Sequence, residues 1–242
     1  MKIIAIIPSR YASQRFPGKP LVDIAGKSMI QRTYEQVRSV GVFERVLVAT
    51  DDNRIYQHVK SFGGEVMMTS DQHLSGTDRC GEVVAHLEQD FEYVVNVQGD
   101  EPFVQKDQLI VLIDLLKTKP AIATLIKKIE DMDLIDDINK PKVVVDKQGN
   151  ALYFSRYPIP FQRNPSTSIQ YYHHIGVYAF KKEILLELVK LEPSDLERAE
   201  SLEQLRWLEN GYQIKTGITD KESFGIDHPE DLEKLKQKGL IE

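Results

Sequence analysis

Apolar residues in this chain fall into short continuous runs, separated by stretches where they recur every three or four positions. Ile3–Ile7 is the first run. It has strand length and no polar residue that would mark a wet face, as expected of a parallel strand covered on both sides. Ile30, Tyr34 and Val37 follow at helical spacing, with Gly41 placed to stop the helix. Arg45–Thr50 reads as a second strand. Asp51 or Asp52 then caps a helix carrying Ile55, Val59 and Phe62, which ends at Gly63 and Gly64. A short strand around Val66–Met68 precedes a helix that starts at Thr77 or Asp78, with Cys80, Val83, Val84 and Leu87 on one face. A strand at Tyr93–Val97, a helix marked by Leu109, Leu112, Ile113 and Leu116, and a strand at Ala121–Ile126 continue the alternation. Such alternation predicts right-handed crossovers and an α/β fold with a doubly wound, mostly parallel sheet.

The rhythm changes after residue 140. The segment KVVVDKQGNALYFSR reads as two strands joined by a turn at Lys147–Asn150, and YHHIGVYAF (Tyr172–Phe180) as another strand after a proline-containing polar loop. Helical spacing returns with Leu202, Leu205 and Leu208, stopped by Gly211. No repeat, low-complexity tract or long linker interrupts the chain. The expectation is one α/β domain over residues 1–242 with a β-rich insertion at about 140–180.

Composition narrows the function classes. Of the 242 residues, 41% are hydrophobic, enough for a core, and the net charge of −6 argues against holding nucleic acid by bulk electrostatics. An anionic ligand must therefore meet a local cluster of cations. The single cysteine, Cys80, excludes an internal disulfide and a multi-cysteine zinc site, and suits a reducing compartment. The opening MKIIAII reaches Pro8 too soon for a signal peptide, and no apolar run approaches membrane-spanning length. These features predict a cytoplasmic protein with no membrane partner.

Five stretches carry chemistry. IIPSRYASQRFPGKPL (Ile6–Leu21) follows the first strand and sets Arg10, Arg15 and Lys19 on one loop. Ligands of open parallel sheets bind at the carboxyl ends of strands, and arginine and lysine there suit phosphate oxygens. Neither a dinucleotide fingerprint nor a Walker A loop is present; the competing reading is a solvated basic loop. NVQGDEPFV (Asn96–Val104) presents carboxylates at the end of the fourth strand. Facing phosphates, they suggest Mg²⁺, whereas as a plain polar turn Asp100 would cap local backbone. LSGTDRC supplies Ser75 and Gly76 at a helix start, a place for a base edge or an anion. The adjacent His173 and His174 point to opposite faces of a strand and cannot grip one metal together. FGIDHPEDLEKL places Asp227 before a helix, as an N-cap or as a second carboxylate for the metal.

These pieces, in this order, resemble the 3-deoxy-manno-octulosonate cytidylyltransferases, relatives of the CMP-sialic acid synthetases. The matching segments are IIPSRYASQRFPGKPL, VATDD, SGTDR, NVQGDEPFV, ALYFSRYPIP, HHIGVYAF, LERAESLEQLRWLENG and GIDHPEDL, which span nearly the whole chain. Small departures are Ser9 for a frequent alanine, Phe16 for a usual leucine and His228 for a common threonine; none removes a charge. The resemblance implies transfer of CMP from CTP to the anomeric hydroxyl of 3-deoxy-manno-octulosonate (Kdo), for lipopolysaccharide, with Mg²⁺ as cofactor. It implies that Arg10 and Lys19 bind phosphates, with Arg15 there or at the sugar. Ser75, Gly76 and Gln98 would read cytosine and ribose, and Asp100 and Asp227 would ligate the metal. For Kdo it points to Arg15, Arg156, His174 and Gln204, with Tyr178 and Glu203 beside them. It also implies a cytoplasmic homodimer with residues 150–180 at the interface.

Overall fold

The computed structural model describes residues 1–12, 16–222, 224–226 and 228–237. The chain divides into two compact units, one formed by Met1–Leu109 with Ser223–Glu242 and the other by Ile110–Glu222.

In the first unit β1 (Ile3–Ser9) is buried along its whole length, as its unbroken apolar run requires. It pairs in parallel with β4 (Arg45–Thr50) from Ile4↔Arg45 to Ser9↔Thr50, and with β6 (Tyr93–Asn96) from Ile3↔Tyr93 to Ile6↔Asn96. Beyond β4 lies β5 (Glu65–Met68), also parallel. Between β1 and β4, β2 (Asp23–Ile24) and β3 (Lys27–Ser28) form a small antiparallel ribbon, with Gly26 at φ 79° in its turn. The spatial order is thus β6-β1-β4-β5. The chain builds outward from β1 through β4 to β5, then returns to the other side of β1. With right-handed crossovers, this reversal puts α1 (Met29–Ser39) and α2 (Asn53–Ser61) on one face and α3 (Gly76–His86) on the other.

Local sequence explains the helix ends. Ser28 caps α1 by accepting from the Gln31 N–H at 3.2 Å, Asp52 caps α2, and Ser75 with Asp78 makes a reciprocal capping box on α3. Gly41 and Gly63 lie just past α1 and α2 at φ 76° and 77°, in the left-handed region that lets a helix stop. The helix α3 therefore begins one or two residues before the start read from the sequence. Near the carboxyl end of the unit, Ile226 and Leu235 of α8 (Pro229–Gln237) are buried with Ile24 and Met29.

The second unit is built on β7 (Ile122–Lys128), which is parallel to β11 (Ile214–Thr219) and antiparallel to β10 (Tyr172–Lys181). The strands β8 (Lys142–Val145) and β9 (Ala151–Ser155) form the expected hairpin, and His173 of β10 pairs with Lys142 of β8. Residues 140–180 are thus woven into this unit's sheet. Pairing of β10 with β7 shifts between Ile175 and Tyr178, so Gly176 and Val177 form a bulge. The helices α5 (Lys182–Leu188), α6 (Asp195–Glu200) and α7 (Gln204–Glu209) follow β10, and α4 (Lys106–Leu115) spans the sequence boundary between the units. The strand β11 is absent from the sequence reading.

Candidate active site

All strands of the first unit's sheet run in one direction, so their carboxyl ends share one edge. The order reverses between β1 and β6, and at such a switch point the loops diverge and leave a crevice. A pocket lies there, lined by Ser9, Arg10 and Lys19 from the β1 loop, Gln98 and Asp100 from the β6 loop, and Ser75, Gly76 and Arg79 from the start of α3. Six of the residues proposed from sequence for nucleotide and metal are therefore brought together. Arg15 and Asp227 lie outside the described residues.

The close approach of the two loops depends on glycine. A Cβ on Gly99 would lie 2.8 Å from the Pro8 carbonyl oxygen, the same oxygen that accepts the Gly99 N–H at 3.2 Å. A Cβ on Gly76 would lie 3.1 Å from both amide atoms of Gln98, which itself donates from Nε2 to Asn96 Oδ1 at 3.2 Å. Ser75 spends its oxygen as an acceptor on the Asp78 N–H at 3.0 Å, so its hydroxyl proton is what it can offer a ligand.

Arg10 is exposed on the pocket rim and makes no hydrogen bond or ion pair within the described structure. Lys19, mostly buried, donates to Asp100 Oδ2 at 2.7 Å. Asp100, whose side chain is 38% exposed, still faces solvent. Fit to a magnesium ion can be judged from this donor set. Mg²⁺ takes one or two carboxylates and fills its remaining positions with water and phosphate oxygens. Asp100 supplies one hard oxygen donor at the pocket, and its carbonyl accepts the N–H of Ile226 at 3.1 Å. Among the described residues no group of three or more acidic, histidine or cysteine side chains is gathered for a metal, so the fit is that of a single carboxylate completed by water and phosphate oxygens.

Two side chains not singled out from sequence shape this pocket. Arg79 is 3% exposed on α3, donating to Asp51 Oδ2 at 3.0 Å, to the Ser70 carbonyl at 3.2 Å and to Thr69 Oγ1. It ties the ends of β4 and β5 to the helix start. The signal was present: Arg79 precedes Cys80 on the face that also carries Val83, an apolar stripe where a charge needs a partner. His73 Nε2 hydrogen-bonds with Glu82 Oε2, and the same carboxylate accepts the Ser70 N–H at 2.8 Å. Burial raises the Glu82 pKa, but the Ser70 N–H and His73 outweigh it and hold it below the usual carboxylate range.

Apart from Arg15, the residues proposed for the sugar lie in the second unit. The β10 bulge sets the rings of His174 and Tyr178 5.2 Å apart, and His174 also meets Phe154 of β9 edge-on at 5.3 Å. Thr124 donates its hydroxyl proton to the Val177 carbonyl at 2.8 Å, so it accepts at 3.0 Å from His174 Nε2. That fixes the tautomer and leaves Nδ1 as an acceptor. Burial, then His173, pushes the His174 pKa down to about 3, so the ring is neutral. His173 is buried on the other side of the strand, 3.8 Å from Glu222, which also pairs with Lys127 and Lys140. The two histidines have separate environments, as their alternation requires.

Tyr178 packs against Trp207 at 5.0 Å and Phe180 at 5.7 Å. Burial first and Glu203 second raise its pKa well above that of an ordinary phenol. Gln204 opens α7, one turn before Trp207, and its buried Nε2 has no hydrogen-bond partner among the described residues. Arg156 follows β9, with its guanidinium donating to three backbone carbonyls.

Several known proteins are similar to this chain. A family model described as Cytidylyltransferase matches residues 4–218. The chain is 52% identical over 238 residues to the 3-deoxy-manno-octulosonate cytidylyltransferase of Cytophaga hutchinsonii, covering 96% of this chain and 95% of that one. It is 52% identical to the Bacteroides thetaiotaomicron protein of the same name, covering 98% of both. A solved structure of CMP:2-keto-3-deoxy-manno-octonic acid synthetase complexed with CTP superposes with a TM-score of 0.93 at 40% identity, over 99% of both chains. The doubly wound, mostly parallel architecture is thus that of a nucleotidyltransferase. The chain belongs to the 3-deoxy-manno-octulosonate cytidylyltransferase family.

Proposed function

We propose that this protein transfers CMP from CTP to the anomeric hydroxyl of Kdo, releasing pyrophosphate, with Mg²⁺ as the metal. The observation that carries the reading is the switch-point pocket, where cations from the β1 loop meet the Asp100 carboxylate from the β6 loop. Both substrates are anionic, so their approach is opposed until charge is neutralised locally. Arg10 offers a planar fork to phosphate oxygens and Lys19 a point charge. Gly76, Gln98 and the Ser75 hydroxyl form a polar wall for the base and ribose. Asp100, with Asp227, would hold the ion, which when bound supplies Lewis-acid stabilisation of phosphate charge. The chain's own part is to orient the phosphates for roughly in-line displacement and to aim fixed charges where negative charge grows.

In the second unit, neutral His174 suits a sugar hydroxyl donating to Nδ1, whereas Arg156 suits the sugar carboxylate. Gln204, Tyr178 and Glu203 complete that polar set. Arg15 belongs with the phosphate or sugar donors by resemblance. Three large apolar side chains of this unit are exposed within ten residues, Leu152, Tyr157 and Phe161, the last at 87%. They support a homodimer that covers this patch, and light scattering behind size exclusion would return twice the chain mass. The activated sugar would serve lipopolysaccharide synthesis in the cytoplasm, a reading compatible with the lack, among the described residues, of any helix long and apolar enough to cross a membrane. The function is tested by initial rates of pyrophosphate release with CTP against ATP, GTP and UTP, each with Kdo and Mg²⁺. Strong preference for CTP and dependence on the metal are expected; indifference to the base would contradict the reading.

A further inference from the structure

The guanidinium of Arg156 is held by backbone carbonyls of two segments. Nε donates to the Glu200 carbonyl at 2.7 Å, Nη2 to the Ser201 carbonyl at 3.2 Å and Nη1 to the Ile138 carbonyl at 2.8 Å. A guanidinium has five N–H groups. Three are thereby used, which leaves two, one on each terminal nitrogen, enough for the two oxygens of a carboxylate. Two of the three accepting carbonyls belong to the end of α6, where Ser201 turns out of the helix at φ 51°. The direction in which Arg156 presents its remaining donors therefore depends on where the end of α6 sits relative to β9.

One side chain sets that distance. Glu200 Oε1 accepts from the Ser155 hydroxyl at 2.6 Å, and Oε2 accepts from the Arg156 backbone N–H at 2.9 Å. Ser155 Oγ in turn accepts the Tyr157 N–H at 3.0 Å, so its only proton is committed to Glu200. The carboxylate thus staples the last residues of β9 to the last turn of α6, on both sides of the arginine it serves. Its charge also sits near two cations, Arg156 and the fully buried Lys142, whose ammonium donates to the Asp137 carbonyl at 2.8 Å.

We propose that Glu200 is a positioning residue for the sugar acid: it holds Arg156, through Ser155 and the end of α6, with two donors free for the substrate carboxylate. The proposal rests on the assignment of Arg156 to that carboxylate. It is tested with Glu200→Gln, Ser155→Ala, Arg156→Gln and the Glu200→Gln/Arg156→Gln double variant, varying Kdo at saturating CTP and CTP at saturating Kdo. In Glu200→Gln both bonds lose their charge assistance, and if the amide nitrogen faces the Arg156 N–H that bond is lost outright. The KM for Kdo should rise about tenfold or more, with the KM for CTP and the unfolding midpoint nearly unchanged. In the double variant the Glu200 effect should vanish, because the arginine it serves is gone. Should Glu200→Gln fail to fold, Ser155→Ala removes the Oε1 bond, together with the acceptor of the Tyr157 N–H, leaves the Glu200 bond to the Arg156 N–H in place, and should raise the KM for Kdo severalfold by itself.

Independent, multiplicative effects of Glu200→Gln and Arg156→Gln would overturn the proposal. So would a parallel rise in both KM values with a lowered midpoint, which marks a merely structural role, or an unchanged KM for Kdo in the folded variants. An unchanged KM for Kdo in Arg156→Gln would instead remove the premise, the arginine's role at the sugar, and the proposal with it.

Discussion

Asp100 and Lys19 neutralise one another at 2.7 Å on the wall of the pocket, and each is assigned a ligand of opposite charge. Removing the carboxylate takes away the proposed anchor for the ion and one partner of the mostly buried Lys19 ammonium. Asp100→Ala should lower kcat by about 10²–10³ or more, measured with saturating CTP and Kdo over a wide Mg²⁺ range. Near wild-type turnover would remove Asp100 from the site. Glycine makes a separate prediction. Gly76→Ala pushes a Cβ to 3.0 Å from the Pro8 ring and 3.1 Å from the Gln98 amide, side chains and not backbone, so the KM for CTP should rise with a smaller fall in unfolding midpoint than at Gly99. Gly99→Ala meets the Pro8 backbone at 2.8 Å and should lower stability as well, by about 1–3 kcal/mol for an overpacked site. Thermal melts and CTP titrations of the two variants separate these outcomes. Much of this pocket was legible as residue types at the ends of strands: Arg10, Lys19, Ser75, Gly76, Gln98 and Asp100 meet there. What was not legible is partnership. Nothing in spacing along the chain indicates that Lys19 contacts Asp100, that Arg79 is buried on Asp51, or that Glu200 grips Ser155.

Among the elements, those with strong periodicity were legible and those whose burial is polar were not. The run RVLVAT is a strand over the residues expected, and Ile30, Tyr34 and Val37 are the buried face of α1. The strand β11 escaped because, after Ile214, its buried positions carry Thr216, Gly217 and Thr219 instead of large apolar residues. Thr216 bonds the Gly149 carbonyl, and a Cβ on Gly217 would lie 3.1 Å from Leu125. The bulge in β10 was equally hidden, since strict alternation would have set Tyr178 against a different partner. The hairpin of β8 and β9 was recognised from its turn, whose Asp146 carboxylate accepts the Gln148 and Asn150 N–H groups, both at 2.8 Å. Gly149 sits there at φ 78° with ordinary contacts around its Cβ position. Gly149→Ala should therefore cost about 1–2 kcal/mol from backbone conformation alone. Denaturant unfolding would show this as a lower midpoint at unchanged slope.

For the whole molecule, the topology read from alternating strands and helices places the pocket. Outward growth from β1 followed by return to β6 makes the switch point at which charge from two loops can converge. The buried histidines give the molecule an acid limb. His174 has an ordinary value of 6.5 in the unfolded chain and about 3 in the folded one. Between these values the unfolded state binds the extra proton, so stability is lost as pH falls through 6.5 and the loss continues down to about 3. His173, also lowered, adds to the same limb. His174→Gln should flatten the fall of unfolding free energy between pH 6.5 and 4.5, by up to about 1.4 kcal/mol per pH unit for one proton; an unchanged slope would show that the ring titrates normally. The most direct measurement is product analysis after mixing the protein with CTP, Mg²⁺ and one sugar acid: Kdo, its 8-amino analogue or N-acetylneuraminate. The account predicts CMP-Kdo and pyrophosphate in equal amounts, formed far faster with Kdo than with the other two sugars. CTP left intact with every sugar, or hydrolysed to CMP without a sugar adduct, would contradict it.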